Sequence, residues 1–250
     1  MSFRDLDDPS LAASVAYARP EIMLTAFSRL DLLQWLGPEE RVRHARFHFE
    51  ADRDIYLVAH ALTRRMLGRL IGVPSETLEF AAGEHGRPEL VAPEPARGFR
   101  FNLSHTHGLV ACAVTRSADI GVDVEYAERK VDILGVARQV FSPAEVAGLA
   151  VLSGSAQRER FFELWTLKEA HIKAIGKGLS APLRSITFDP TQPDPVPVTF
   201  GPEVADDHAR WCLRRFRVGS EHRLALAVAA DRAAPVHCAE ASPADLRAKV

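Results

Sequence analysis

The chain has 250 residues, 47% of them hydrophobic and 26% charged, with a formal net charge of −2. That length holds one large domain or two small ones, and the slightly acidic balance gives no electrostatic reason to expect nucleic acid or an anionic membrane as partner. No apolar run approaches the ~20 residues of a membrane span. The acidic amino terminus lacks a basic-then-apolar signal, and three scattered cysteines without a CxxC pair suit a reducing cytoplasm.

In chain order, residues 1–20 read as loosely structured and Glu21–Phe27 as a short strand, with helix the alternative for so brief an apolar run. Leu30–Leu36 is predicted helical and is broken by Gly37-Pro38. Arg41, Arg43 and Arg46 then crowd together, and Asp54–Leu70 carries the apolar stripe of a long helix. The glycines and prolines of 81–98 predict a loop. Phe99–Leu103, Leu109–Thr115 and Asp119–Tyr126 predict three strands spaced for an antiparallel meander. Ser142-Pro143 caps a further helix. Four more strands are expected, at 186–188, 196–200, 209–217 and 222–229, with residues 231–250 as a tail. Both halves run from a long helix through a proline-bearing loop into strands ending in an alternating Leu/Ala/Val run, the outline of a duplicated α+β unit.

The most informative stretch is Arg158–Gly178, a helix with Phe161, Leu164, Trp165, Ile172 and Ile175 on one stripe and Gly176 as its stop. Lys168 falls inside that stripe. Glu169 and Lys173 lie along its edge, four residues apart, while Glu163 and Ala174 project from the far face. Two readings stand: a snorkelling lysine beside a surface ion pair, or a cleft wall offering one carboxylate and two ammonium groups to an anionic ligand and its metal.

Ile120-Gly-Val-Asp-Val-Glu125 bears on that choice. On a strand, Ile120, Val122 and Val124 face one side and Gly121, Asp123 and Glu125 the other. Adjacent carboxylates repel unless a cation sits between them, and oxygen ligands suit Mg²⁺; a solvated acidic edge is the plainer alternative. Upstream, His105 and His107 could be two zinc ligands, against which no third His or Cys stands at ligand spacing. A hydroxyl and an imidazole, Ser104-His105, at a strand end equally suit a phosphate.

Gly86-Arg-Pro88, Asn102-Leu-Ser-His105, Ile120-Gly-Val-Asp-Val-Glu125 and Trp165-Thr-Leu-Lys-Glu-Ala-His-Ile-Lys173 together resemble the 4′-phosphopantetheinyl transferases of the longer, Sfp type, over roughly residues 37 to 230. The resemblance implies an α+β fold of two similar subdomains related by a pseudo-twofold axis, 1–118 and 119–232, with a tail at 233–250 and the active site in the cleft between them. It implies transfer of 4′-phosphopantetheine from coenzyme A to a serine of an acyl, peptidyl or aryl carrier protein by a cytoplasmic monomer that uses no nucleic acid or membrane. Asp123, Glu125 and Glu169 would hold Mg²⁺, and Glu169, Lys173 and Asp123 would carry catalysis. Arg43, Arg53, Arg87, Pro88, Ser104, His105, Lys168 and Lys173 would contact the coenzyme. Two features depart from the family pattern: Arg87 stands where lysine is commoner, and Glu40 occupies a basic position. A Mg²⁺-dependent coenzyme A phosphohydrolase and a catalytically silent coenzyme A-binding protein are the competing classes.

Overall fold

The structure is a computed structural model that describes residues 8–83, 87–96, 98–178 and 181–248. Gly86 of the first motif and the first seven residues lie outside them. The chain forms two compact units: one runs to Ser117 and resumes at Pro235, the other is Ala118–Ala234.

The first unit opens with β1 (Ala13–Ala18), followed by α1 (Pro20–Ala26), α2 (Arg29–Trp35), α3 (Pro38–Ala45) and α4 (Glu50–Ile71). It continues through β2 (Glu79–Ala82), β3 (Pro88–Ala92), β4 (Phe99–Thr106) and β5 (Leu109–Arg116). One expectation changes here, and of the two readings of Glu21–Phe27 the helix is the one found. The amino-terminal stretch is a buried strand paired antiparallel with β5, and Glu21–Phe27 is helical, Pro20 at the first helical position setting the backbone. The core gathers Leu57, Leu62, Met66 and Leu67 of α4 against β4 and β5. The helix stops at Gly72, which takes the left-handed conformation at φ 79°, and Gly68 lets Val73 and Ser75 pack against the backbone.

The second unit holds β6 (Ile120–Tyr126), α5 (Ile133–Val140), α6 (Pro143–Ala150) and α7 (Gly154–Ile175), then β7 (Ile186–Phe188), β8 (Val198–Phe200), β9 (Trp211–Val218) and β10 (His222–Ala229). The expected meander breaks at its third strand: β4 pairs with β5, but β6 pairs antiparallel with β10, giving the order β6-β10-β9. Phe141, Phe161, Phe162, Leu167, Trp211 and Leu213 form the core between α7 and this sheet.

The last segment is not a free tail. β11 (Val236–Glu240) lies parallel to β1 and completes the sheet β11-β1-β5-β4 of the first unit. α8 (Pro243–Arg247) follows, and the Arg65 guanidinium donates to the Leu246 carbonyl at 2.7 Å. Among the described residues no helix is long and apolar enough to cross a membrane.

Candidate active site

The site in the second unit begins at Gly121. A Cβ there would meet the Ala170 carbonyl oxygen at 2.0 Å and the Ala174 nitrogen at 2.5 Å, so β6 lies directly on the backbone of α7. Only glycine permits this approach. It explains why Ala174, placed by periodicity on the far face of the helix, is 1% exposed.

Alternation along β6 then aims Asp123 and Glu125 the same way as Gly121. Asp123 is 5% exposed. Its Oδ1 accepts from the Lys173 ammonium at 2.7 Å, and Lys173 donates as well to the Val122 carbonyl at 3.2 Å. Lys173 thus reaches across to the strand rather than merely back along its own helix to Glu169. Burial pushes the Asp123 carboxyl up to about 6; the negative charges of Glu125 and Glu169 add to the rise, and Lys173 opposes it. The Glu169 carboxyl is also raised, chiefly by burial and further by Glu125, against the pull of Lys173. Two carboxyls raised by burial and by the charge of Glu125 mark a place where added positive charge is stabilising. Their oxygens are the ligand type a hard divalent cation takes, although among the described residues no preassembled cluster of three metal ligands occurs.

Glu125 is held from two sides. Its Oε1 accepts from the Trp165 indole N–H at 2.8 Å, and its Oε2 faces the Arg129 guanidinium at 3.0 Å. The sequence placed Trp165 on an apolar stripe and at the head of the fourth motif, without a contact to Glu125, and did not single out Arg129. An indole half-buried on such a stripe seeks an acceptor for its N–H, and that was the one available signal.

Lys168 is placed elsewhere. It is 3% exposed and pairs with Glu145 at 2.8 Å, and its ammonium donates to the carbonyls of Leu183 and Ile186 between the rings of Phe141 and Phe188. Burial pulls the ammonium below the ordinary lysine value while Glu145 opposes. The group therefore braces the core and turns no charge toward the Asp123 cluster, which corrects its assignment to coenzyme binding. Glu145 is itself fixed, accepting from the backbone N–H groups of Ser142 and Phe188.

The remaining expected residues belong to the first unit. Arg87 and Pro88 line a cavity of about 270 Å³ with Arg100 and Phe101, and Arg87 donates to the Phe101 carbonyl at 3.2 Å. Ser104 and His105 are neighbours near the end of β4, Ser104 buried and His105 exposed. Arg43 lines a shallow hollow with Val42 and Arg46. Arg53 donates to the Phe47 carbonyl at 2.7 Å. Glu40 is tied up by His60 at 2.8 Å and Arg64 at 2.5 Å and offers no basic contact.

Comparison with known proteins gives a consistent picture. Residues 119–229 match the family described as the 4′-phosphopantetheinyl transferase superfamily, and residues 26–117 match the 4′-phosphopantetheinyl transferase amino-terminal family. The chain is 33% identical over 172 residues to the 4′-phosphopantetheinyl transferase HetI of Nostoc sp., covering 69% of this chain and 72% of that one. It is 31% identical over 207 residues to a 4′-phosphopantetheinyl transferase of Bacillus subtilis, covering 82% and 88%, and 29% identical to Sfp of the same species, covering 79% and 84%. Among solved structures, the Thermotoga maritima holo-[acyl-carrier-protein] synthase aligns at 20% identity and a TM-score of 0.36, over 46% of this chain and 64% of that one.

Proposed function

The chain belongs to the 4′-phosphopantetheinyl transferase superfamily, and from that premise we propose that it moves 4′-phosphopantetheine from coenzyme A to a serine of an apo acyl, peptidyl or aryl carrier protein. The observation that carries the reading is the buried Asp123 carboxylate. It is paired with Lys173 at 2.7 Å and raised by burial, and further by the charges of Glu125 and Glu169, at the contact of β6 and α7.

In this reading the serine oxygen bonds to the β-phosphorus of coenzyme A as the bond to the departing adenosine 3′,5′-bisphosphate breaks. Glu169, whose raised carboxyl makes it a stronger proton acceptor than an ordinary glutamate, takes the hydroxyl proton. Lys173 exchanges Asp123 for the pyrophosphate oxygens, where negative charge builds. Asp123, Glu125 and Glu169 would hold Mg²⁺, which when bound neutralises phosphoryl oxygens and orients the diphosphate. Arg43, Arg53, Arg87, Pro88, Ser104 and His105 supply coenzyme contacts in this reading, Arg87 at the 3′-phosphate. The setting is a cytoplasmic monomer, in keeping with three free cysteines.

Incubation with coenzyme A, Mg²⁺ and an apo carrier protein, read by mass spectrometry, tests the reading. A carrier heavier by one phosphopantetheine is expected. Coenzyme cleavage without carrier modification would make the protein a phosphohydrolase, and neither change would make it a silent binder. The metal assignment has its own pH signature. Only the ionised carboxylate ligates well, so Mn²⁺ affinity should fall about tenfold between pH 8 and pH 5 as Asp123 takes up a proton near its value of about 6. A flat profile in a Mn²⁺ titration would remove Asp123 from the ligand set.

A further inference from the structure

The two acidic residues of β6 are held differently. Asp123 has a lysine from α7, whereas Glu125 has a guanidinium four residues further along the chain. Arg129 stands in the turn after β6, its Nε 3.0 Å and its Nη2 3.5 Å from the two oxygens of Glu125. That arrangement is a fork on a carboxylate, which fixes the plane of the acid as well as its position. The Trp165 N–H, 2.8 Å from Oε1, supplies a third donor.

Arg129 is itself braced. Its guanidinium lies over the rings of Phe162 and Trp165, 5.2 and 5.8 Å from their centroids. Its own carbonyl, and that of Ala127, accept from the Arg158 guanidinium, so α7 ties down the turn that carries it. Its N–H donates to the Tyr126 carbonyl at 3.2 Å. A surface arginine paired by chance would have no such scaffold.

We propose that Arg129 is a positioning residue: with Trp165 it clamps the Glu125 carboxylate in the orientation that ligates the divalent cation. The inference rests on the proposed metal role of Glu125 and adds a residue from outside the four sequence motifs. Two effects of the guanidinium oppose each other. Its positive charge disfavours a nearby cation, but its side chain is 37% exposed, so solvent screens that repulsion. Its hydrogen bonds orient a ligand, and removing such a partner typically weakens metal affinity 10–100-fold. Orientation wins.

The experiment is a Mn²⁺ titration followed by electron paramagnetic resonance, without coenzyme A, on the full-length wild type, Arg129→Gln and Arg129→Lys, each checked by thermal melting. Wild type should bind Mn²⁺, and both variants should bind at least about tenfold more weakly. Lysine keeps the charge and loses the fork, so a loss in both separates geometry from charge. In steady-state assays the Mg²⁺ concentration for half-maximal rate should rise by a similar factor in the variants, with the KM for coenzyme A unmoved. A general loss of structure would not produce that split. Wild type that fails to bind Mn²⁺ would sink the metal site itself. Wild type that binds, with variants that bind equally well, would overturn the clamp alone. Tighter binding by Arg129→Gln would make Arg129 a competitor for Glu125 and also overturn it.

Discussion

Helices α4 and α7 are the same object built twice. Each has 22 residues and ends at a left-handed glycine, Gly72 or Gly176. Each buries a cation at its fifteenth residue, Arg64 or Lys168. Each cation meets a glutamate that accepts from the N-cap N–H of the preceding helix, Glu40 from Gly37 or Glu145 from Ser142. Each also donates to carbonyls in and just after the next 3₁₀ turn: Ser75 and Leu78 for Arg64, Leu183 and Ile186 for Lys168. Glu40, which looked like a lost phosphate contact, is thus the partner of a buried arginine. The faces then diverge. Where α7 carries Glu169, His171 and Lys173, the same positions of α4 carry Arg65, Leu67 and Arg69. The strand against α7 offers Asp123 and Glu125, while β1 reads Ala-Ser-Val-Ala-Tyr-Ala. One frame holds up both helices, and the acids and lysine of the candidate site stand at positions the frame leaves free.

The comparison breaks most sharply at the twentieth residue of the helices, Lys173 or Arg69. Lys173→Ala should lower the transfer rate at saturating coenzyme A by a factor of at least about 10³, the scale of a lost transition-state contact. Arg69→Ala, its counterpart on α4, should change the rate less than about twofold. Equal effects in a single-turnover assay would mean that the two faces share the work.

The shared brace gives the next largest effect, on stability. Lys168→Met leaves Glu145 unpaired at 2% side-chain exposure and should cost about 3–5 kcal/mol in denaturant unfolding. Arg64→Met should cost less, about 1–3 kcal/mol, because Glu40 is 16% exposed and keeps its contact with His60. Adding Glu145→Gln to Lys168→Met should recover part of the loss. No recovery would show that Lys168 contributes by packing rather than by pairing.

The smallest effect exchanges a residue between the faces. His171 is 1% exposed against Trp211, Phe200 and Phe188, neither ring nitrogen has a hydrogen-bond partner, and burial drives its pKa down to about 4. A histidine lowered in the folded state adds stability that is complete above its unfolded value near 6.5 and is lost as pH falls toward 4. His171→Leu, which copies Leu67 of α4, should therefore flatten the acid limb, removing about 2 kcal/mol of the stability lost between pH 7 and pH 4.5. Melts of the two proteins that run parallel across this range would show that another group sets the acid sensitivity.

Periodicity, caps and strand alternation read locally were enough for much of the molecule. The stripe and glycine stop located α7, Ser142-Pro143 located the start of α6, and alternation put Gly121, Asp123 and Glu125 on one face of β6. The site acids were legible because they sit on a regular helix and a regular strand, where spacing fixes direction. Strand partners were not legible, because pairing is a contact between distant residues that a six-residue run cannot encode. So β1 and β11 read as loose ends, and β6 was assigned to the wrong neighbour. The same limit governed the charges. Lys168 in an apolar stripe announced something unusual, but only packing against α6 decided that it meets Glu145, 23 residues upstream. Glu125 announced a carboxylate, and only the turn after β6, drawn down onto α7 by Arg158, decided that Arg129 holds it. Local sequence sets which residues can face a site. Which of them meet there depends on tertiary contacts that bury one charge beside another.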